Sequence, residues 1–145
     1  MTTLTERLLD TRAGGLAEQL VTLLRARFPQ AMAIYAFGSQ VHGDANAHSD
    51  LDLAVLVAGY GDPLALWDAS GDLADVVDCQ VDLLDLRAAS TVMQYQVITT
   101  GRRLWSTGLP TDLFECYVLS EKTALDEARA PLLADIASTG RIYAR

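Results

Sequence analysis

Three aspartates in two apolar stretches are the residues of this chain best suited to chemistry by type and spacing. Asp50 and Asp52 flank Leu51 at the start of one stretch, and Asp82 lies in a later one. Residues two apart in a strand point to the same face, so the carboxylates of Asp50 and Asp52 can converge. Two such charges favour a cation between them, and hard oxygen ligands select Mg²⁺ or Mn²⁺. We interpret this pair as part of a metal site.

Asp82 supplies a third carboxylate. A charge inside an apolar run is costly without a partner, so we expect the strand of Asp82 to lie beside the strand of Asp50 and Asp52. The resulting triad would suit a two-metal site, which clamps the attacking and leaving oxygens of a phosphoryl or nucleotidyl displacement. Asp85 has the wrong parity to share a face with Asp82, and we interpret it as a strand-end cap.

Gly38 and Ser39 come before the aspartate pair, at the end of another apolar run. A glycine lets the backbone approach a ligand closely, and the N–H groups at the start of a following helix favour an anion. The Ser39 hydroxyl is a suitable donor for a phosphate oxygen. Since Gly-Ser pairs are common in loops, this pair is informative only together with the aspartates.

The apolar pattern predicts the elements that position these residues. It favours three buried strands at Ala31–Phe37, Leu51–Val57 and 80–86, and an edge strand around Leu104 and Trp105. Helices are predicted over 16–28, over 62–77 with an interruption at Gly71, over 89–100, and from Thr111 onward with a kink or break at Pro131. This alternation is typical of a small α/β or α+β fold, and we expect one domain over residues 1–145.

Composition excludes several classes of function. With 19 acidic and 11 basic residues, the net charge of −8 argues against autonomous binding to nucleic acid or to an anionic membrane. It suits a protein that binds cations or docks on a basic partner. The chain shows no signal peptide and no apolar run long enough for a membrane span. Cys79 and Cys116 lack zinc-site spacing, so we expect reduced thiols and a cytoplasmic location.

One known family shares this arrangement of residues. Gly38-Ser39, ten intervening residues, Asp50-Leu51-Asp52 and then Asp82 resemble the motif of the DNA polymerase β superfamily of nucleotidyltransferases. The string 49–53, and the segments 81–87 and 101–105, resemble more narrowly the minimal nucleotidyltransferases (MNT). The resemblance covers about residues 16–106, which leaves a C-terminal helical extension of about 111–140. It is closest to the MntA-type antitoxins of HEPN–MNT toxin–antitoxin systems.

The resemblance implies a polymerase β-like fold, in which helices flank a small mixed sheet. It implies that Gly38 and Ser39 hold the β- and γ-phosphates of ATP, the substrate. Asp50 and Asp52 would ligate both of two Mg²⁺ ions, for which Mn²⁺ could substitute. Asp82 would ligate the catalytic ion and help to deprotonate the acceptor hydroxyl.

The function implied is that of an antitoxin protein adenylyltransferase, which transfers AMP to a tyrosine of a cognate HEPN RNase toxin. One alternative is a small-molecule nucleotidyltransferase of the aminoglycoside-modifying sort. Such relatives usually carry a further helical domain, whereas only a short segment follows the core here. Another alternative is a non-catalytic antitoxin that acts by binding alone.

Several residues have two interpretations. His42 and His48 could bind metal but are more simply solvated, and Trp67 and Trp105 could stack on adenine but fit core positions better. Arg102 and Arg103 could meet phosphate or a partner, or lie in a solvated turn. The acidic residues of the C-terminal part form either a solvated face or a docking surface for a basic toxin; they are Glu115, Glu121, Asp126, Glu127 and Asp135.

Overall fold

A computed structural model of the chain describes residues 3–10, 12–42 and 50–139. The elements within these residues follow the order α1 (Leu4–Leu9), α2 (Leu16–Arg27), β1 (Ala31–Phe37), α3 (Ser39–His42), β2 (Leu51–Val57), α4 (Pro63–Val77), β3 (Val81–Asp85), α5 (Thr91–Thr100), β4 (Arg102–Ser106) and α6 (Leu109–Thr139). Each predicted strand is present, and the predicted edge strand around Leu104 and Trp105 is confirmed as β4.

The four strands form one mixed sheet in the order β3-β2-β1-β4. β1 is antiparallel to both β2 and β4, whereas β2 and β3 are parallel. A parallel pair needs a crossover, and α4 supplies it. The sheet flanked by helices confirms the predicted mixed α/β architecture, and it makes β3 and β4 the two edge strands.

Helices cover both faces of this sheet and create two cores. The first core joins α1, α2 and α4 to one face and includes Leu8, Leu20, Leu24, Leu53, Val55 and Leu73. The second core joins α5 and α6 to the opposite face and includes Tyr35, Ala54, Leu56, Val97, Phe114 and Val118. Because both faces are covered, the central strands β1 and β2 are buried nearly throughout.

Three helices differ from the sequence-based prediction. α4 runs through Gly71 without interruption, and α6 continues through Pro131 to Thr139. Pro131 lies on an exposed part of α6, where water can satisfy the carbonyl that loses its helical donor. α1 was not predicted, although a capping box marks its start: the Thr3 hydroxyl accepts from the Glu6 N–H, and the Glu6 carboxylate accepts from the Thr3 N–H.

Hydrogen bonds tie β2 to β3 at the ends of these strands. Asp85 is buried, and its carboxylate accepts from the N–H groups of Gly61 at 2.8 Å and Arg87 at 3.2 Å. The Arg87 side chain donates through Nε to the carbonyl of Val57, the last residue of β2, at 3.0 Å. The interpretation of Asp85 as a strand-end cap is therefore confirmed.

A second polar network fixes α6 against the sheet. Arg103 of β4 donates to the carboxylates of Asp112 at 2.9 Å and Glu115 at 3.0 Å, and the buried Tyr35 hydroxyl donates to Glu115. Burial, followed by the charge of Glu115, raises the pKa of Tyr35. Arg103 and Glu115 are thus engaged within the fold. No helix of the described residues, α6 included, is long and apolar enough to cross a membrane.

We expect Leu20→Ala to lower the free energy of unfolding by about 2–5 kcal/mol, because the leucine side chain is 0 % exposed and its removal leaves a cavity in the first core. The control is Leu132→Ala on α6, where the leucine is 54 % exposed and its loss should cost under about 0.5 kcal/mol. Urea unfolding of both variants measures the difference. Equal losses would contradict the assignment of Leu132 to an uncovered helix surface.

Candidate active site

The three predicted aspartates lie at the same end of the sheet. Asp52 of β2 lies directly opposite Asp82 of β3 in the parallel register, and Asp50 immediately precedes β2. Asp52 shares a strand face with Ala54, and Asp82 shares one with Leu84. Both of those neighbours belong to the second core, so the two carboxylates lie on the α5/α6 face of the sheet. The prediction that the two acidic strands are neighbours is confirmed.

The carboxylate of Asp52 is the group whose ionisation this arrangement disfavours. Its pKa is raised above 3.8 by partial burial first, then by the charge of Asp82, and then by the charge of Asp50. All three causes disfavour the ionised form. This end of the sheet therefore holds negative charge that a cation would compensate.

The donor chemistry of the three aspartates suits a hard divalent cation. Among the described residues, however, no group of three or more His, Cys, Asp or Glu side chains comes together closely enough to hold a metal ion. Asp52 and Asp82 are thus neighbours in the sheet, with Asp50 just before β2, but the three do not form a closed ligand cluster. The chemistry of their carboxylates is what fits a hard cation.

Gly38 brings the backbone after β1 against Asp52. Its φ of +79° lies in the left-handed region. A Cβ built on Gly38 would overlap Oδ2 of Asp52 and lie 3.2 Å from its Cγ. Only a glycine fits this close approach. Ser39 then begins the four-residue helix α3, which confirms the predicted strand-to-helix turn beside the aspartates.

Asp82 is exposed, so the expectation of a charge made costly by an apolar surrounding was wrong. The reason is that β3 is an edge strand. Asp82 is the second residue of β3, and water reaches its carboxylate directly, so it needs no buried partner. The same exposure leaves Asp82 open to a second substrate.

Trp67 was predicted to occupy a core position, and this was wrong as well. Its side chain is 77 % exposed, because α4 buries the face that carries Ala69, Leu73 and Val77. Trp67 precedes Ala69 by two residues and so lies on nearly the opposite side of the helix. The sequence does contain a signal for this: Ala69, Leu73 and Val77 recur every four residues and mark the buried face of α4. Trp67 does not fall on that face.

The remaining candidates separate into three groups. Trp105 packs against the first core beneath the Arg25 guanidinium, 4.3 Å from the ring centroid, which confirms the core interpretation. Arg102 is exposed on β4, whereas Arg103 is bound to α6. His42 ends α3, and His48 lies outside the described residues together with the rest of the segment 43–49.

Comparison with known proteins gives consistent matches. The family model described as "Polymerase beta, Nucleotidyltransferase" matches residues 18–108. A curated relative, the protein adenylyltransferase MntA of Shewanella oneidensis, is 39 % identical over 118 residues, which cover 81 % of this chain and 85 % of that protein.

Solved structures resemble the fold over a similar span. One is the crystal structure of a toxin–antitoxin with AMP-PNP, with a TM-score of 0.75, 38 % identity, and coverage of 83 % of this chain and 98 % of that one. Another is the tri-AMPylated HEPN toxin of Shewanella oneidensis in complex with its MNT antitoxin. Its matching chain gives a TM-score of 0.70 at 36 % identity, and the match covers 84 % of this chain and 96 % of that one.

We expect Gly38→Ala to destabilise the protein more than Gly14→Ala. Both glycines have positive φ, +79° and +78°, so both variants lose roughly 1–2 kcal/mol to backbone strain. Only Gly38 adds an overlap with Asp52, since nothing lies within 4 Å of a Cβ at Gly14. Urea unfolding measures the excess, and equal losses would contradict the close approach of Gly38 to Asp52.

We expect Asp52→Asn to raise the melting temperature of the cation-free protein at neutral pH. A carboxyl whose folded pKa is raised stabilises the fold when protonated, and that contribution is lost as pH rises from 3.8 through the folded pKa. Asparagine cannot ionise, so the advantage should vanish as pH falls below 3.8. Melting in chelator from acid to neutral pH tests this. Asp126→Asn, at an exposed carboxylate paired with Lys122, is the control and should show no gain.

Proposed function

This chain belongs to the polymerase β nucleotidyltransferase family, and we propose that it is an antitoxin that transfers AMP from ATP to a tyrosine of a cognate HEPN RNase toxin. The observation that carries the proposal is the placement of Asp50, Asp52 and Asp82 at the same end of the sheet as Gly38, in a chain 39 % identical to a protein adenylyltransferase. The predicted polymerase β-like fold and the predicted kinship with MNT antitoxins are both confirmed by the matches.

The reaction is a nucleotidyl transfer to a hydroxyl group. The tyrosine oxygen attacks the α-phosphorus of ATP, and a new phosphorus–oxygen bond forms as the bond to the bridging β-phosphate oxygen breaks. Pyrophosphate leaves, and the hydroxyl proton passes to the carboxylate of Asp82. A tyrosine hydroxyl has a pKa near 10, so a base is needed at neutral pH. Asp82 is exposed at a sheet edge and can meet an acceptor on another protein.

We infer that Asp50 and Asp52 hold two Mg²⁺ ions, with Asp82 on the catalytic one. Such ions neutralise the charge that develops on the attacking and leaving oxygens. The raised pKa of Asp52 supports this role, because the site favours added positive charge. The backbone at Gly38 and the Ser39 hydroxyl would bind the β- and γ-phosphates, next to the aspartates that they adjoin in the fold.

The architecture favours an acceptor carried by another protein. Because β3 is an edge strand within the described residues, an acceptor as large as a protein can approach the exposed Asp82 carboxylate without displacing another strand. We place the reaction in the cytoplasm, where HEPN toxin and ATP would both be available.

Intact-mass analysis of the cognate HEPN toxin, incubated with this protein, ATP and Mg²⁺, tests the proposal. We expect the toxin mass to rise by one or more AMP units. Asp52→Asn should abolish the transfer, and Asp82→Asn should slow it by roughly 100-fold or more, as expected for loss of a base. Asp72→Asn, which changes a partly exposed carboxylate of α4 paired with Arg27, is the matched control and should transfer at the parental rate.

The toxin is then separated from this protein and its RNase activity is measured. A modified toxin that stays inactive supports neutralisation by AMP transfer. An unmodified toxin that regains activity would leave neutralisation by binding alone. Transfer of AMP to an aminoglycoside in place of the toxin would favour the small-molecule alternative.

A further inference from the structure

A groove runs along the free edge of β3 and reaches Asp82. It has a volume of about 510 Å³ and lies between α4 and the edge strand. Leu66, Trp67, Gly71 and Ala74 line it from α4, and residues 80–83 line it from β3. Among the described residues that line it, Asp82 is the one charged residue. The groove is therefore largely apolar, and it reaches the strand position of Asp82, whose side chain points to the opposite, α5/α6 face of the sheet.

The strand side of this groove offers unpaired backbone groups. The Gln80 carbonyl accepts from Leu51 N–H at 2.9 Å, and Leu86 N–H donates to the Val55 carbonyl at 3.0 Å. In a parallel ladder the even-numbered residues of β3 thus bond to β2, and the N–H and C=O groups of Val81 and Leu83 point outward. Within the described residues no strand pairs with this edge. An extended peptide could add here as a further strand.

The helix side offers an exposed apolar surface. Trp67 is 77 % exposed, and Leu64 one turn earlier is 73 % exposed. Both lie on the side of α4 that turns away from the first core. Burial of an exposed tryptophan by a partner contributes more binding free energy than burial of most other side chains, because its area is large. Tryptophan is accordingly enriched among the residues that dominate binding energies.

The register of an added strand would bring its side chain to Asp82. Neighbouring strands lie about 4.8 Å apart, and residues paired across them point their side chains to the same face. A tyrosine paired with Asp82 would therefore project its hydroxyl on the face where Asp82 and Asp52 lie. A peptide bound in the groove would thus already hold its tyrosine hydroxyl near Asp82.

We propose that this edge groove binds an extended, apolar segment of the acceptor protein next to its acceptor tyrosine, with Trp67 as the main anchor. The inference rests on the proposed AMP transfer and assigns it an acceptor site. A peptide fits the groove better than a cationic small molecule, because the lining is apolar and Val81 and Leu83 offer strand-pairing groups. Continuity with Asp82 favours the acceptor protein over a second copy of this chain.

The test compares steady-state AMP transfer to the full-length cognate toxin by the parent and by Trp67→Ala. We expect the KM for toxin to rise about tenfold or more, the order expected for loss of an interface tryptophan. The kcat at saturating toxin and the affinity for ATP should change by less than about twofold, because Trp67 lies on α4, on the opposite side of the sheet from the face of Asp52 and Asp82. Trp67→Phe should bring the KM for toxin much of the way back to the parental value.

A second variant blocks the groove without removing the anchor. Gly71 faces open space, with nothing within 4 Å of a Cβ built on it, so Gly71→Leu should fold normally and fill the groove. It should raise the KM for toxin as Trp67→Ala does. Tyr60→Ala is the matched control, since Tyr60 is 73 % exposed but follows β2 at the other end of the sheet. It should leave the KM unchanged.

The outcomes separate this inference from the function on which it rests. If the parent transfers AMP and both groove variants keep the parental KM, the acceptor lies elsewhere and the inference is wrong. If Trp67→Ala weakens ATP binding equally, Trp67 belongs to the nucleotide site. If the parent forms dimers that Trp67→Ala dissociates while transfer is unchanged, a second copy occupies the groove. If the parent fails to modify the toxin, the proposed function is wrong and this inference falls with it.

Discussion

Repulsion among carboxylates at one end of the sheet is the constraint around which this structure is arranged. The parallel register of β2 and β3 sets Asp52 opposite Asp82, and the chain places Asp50 beside them. Burial and both neighbours disfavour the charge on Asp52. A fold selected for stability alone would not keep this arrangement. The two cores supply the stability that offsets this repulsion, and bound positive charge would reduce it.

The two faces of the sheet divide the work of stability and chemistry. The face toward α1, α2 and α4 is devoted to packing, and Leu51 and Leu53 of β2 point into it. The opposite face is covered by α5 and α6 over most of its area but carries Asp52 and Asp82 at its open end. Alternation along a strand lets one short segment serve both needs, since adjacent residues take opposite faces. The proposed catalytic side chains of Asp52 and Asp82 thereby stand on rigid backbone.

Local patterns in the sequence were sufficient to bring the candidate residues to one end of the sheet. The apolar run of β2 predicts the strand that carries Asp52, and the end of the preceding run predicts the turn at Gly38. Asp50 lies just before β2, so strand alternation does not fix the direction of its side chain. Strand order, by contrast, is a tertiary property. Nothing local to residues 80–86 tells that β3 is an edge strand, so the exposure of Asp82 could not be predicted. Trp67 was misassigned for a related reason: tryptophan is usually buried, and only the packing of α4 on the sheet shows which face turns outward.

The hydrogen bonds at the far end of β2 and β3 set the identity of the site at the near end. Asp85 and Arg87 bind the backbone at Gly61 and Val57, and these bonds exist in only one alignment of the two strands. A slip by a single residue would turn every side chain of β3 over and carry Asp82 to the opposite face. The buried carboxylate of Asp85 therefore helps to hold the proposed catalytic carboxylate of Asp82 on its face of the sheet. Asp82 and Asp85 lie three residues apart in β3, so the regular geometry of the strand transmits the alignment from one to the other.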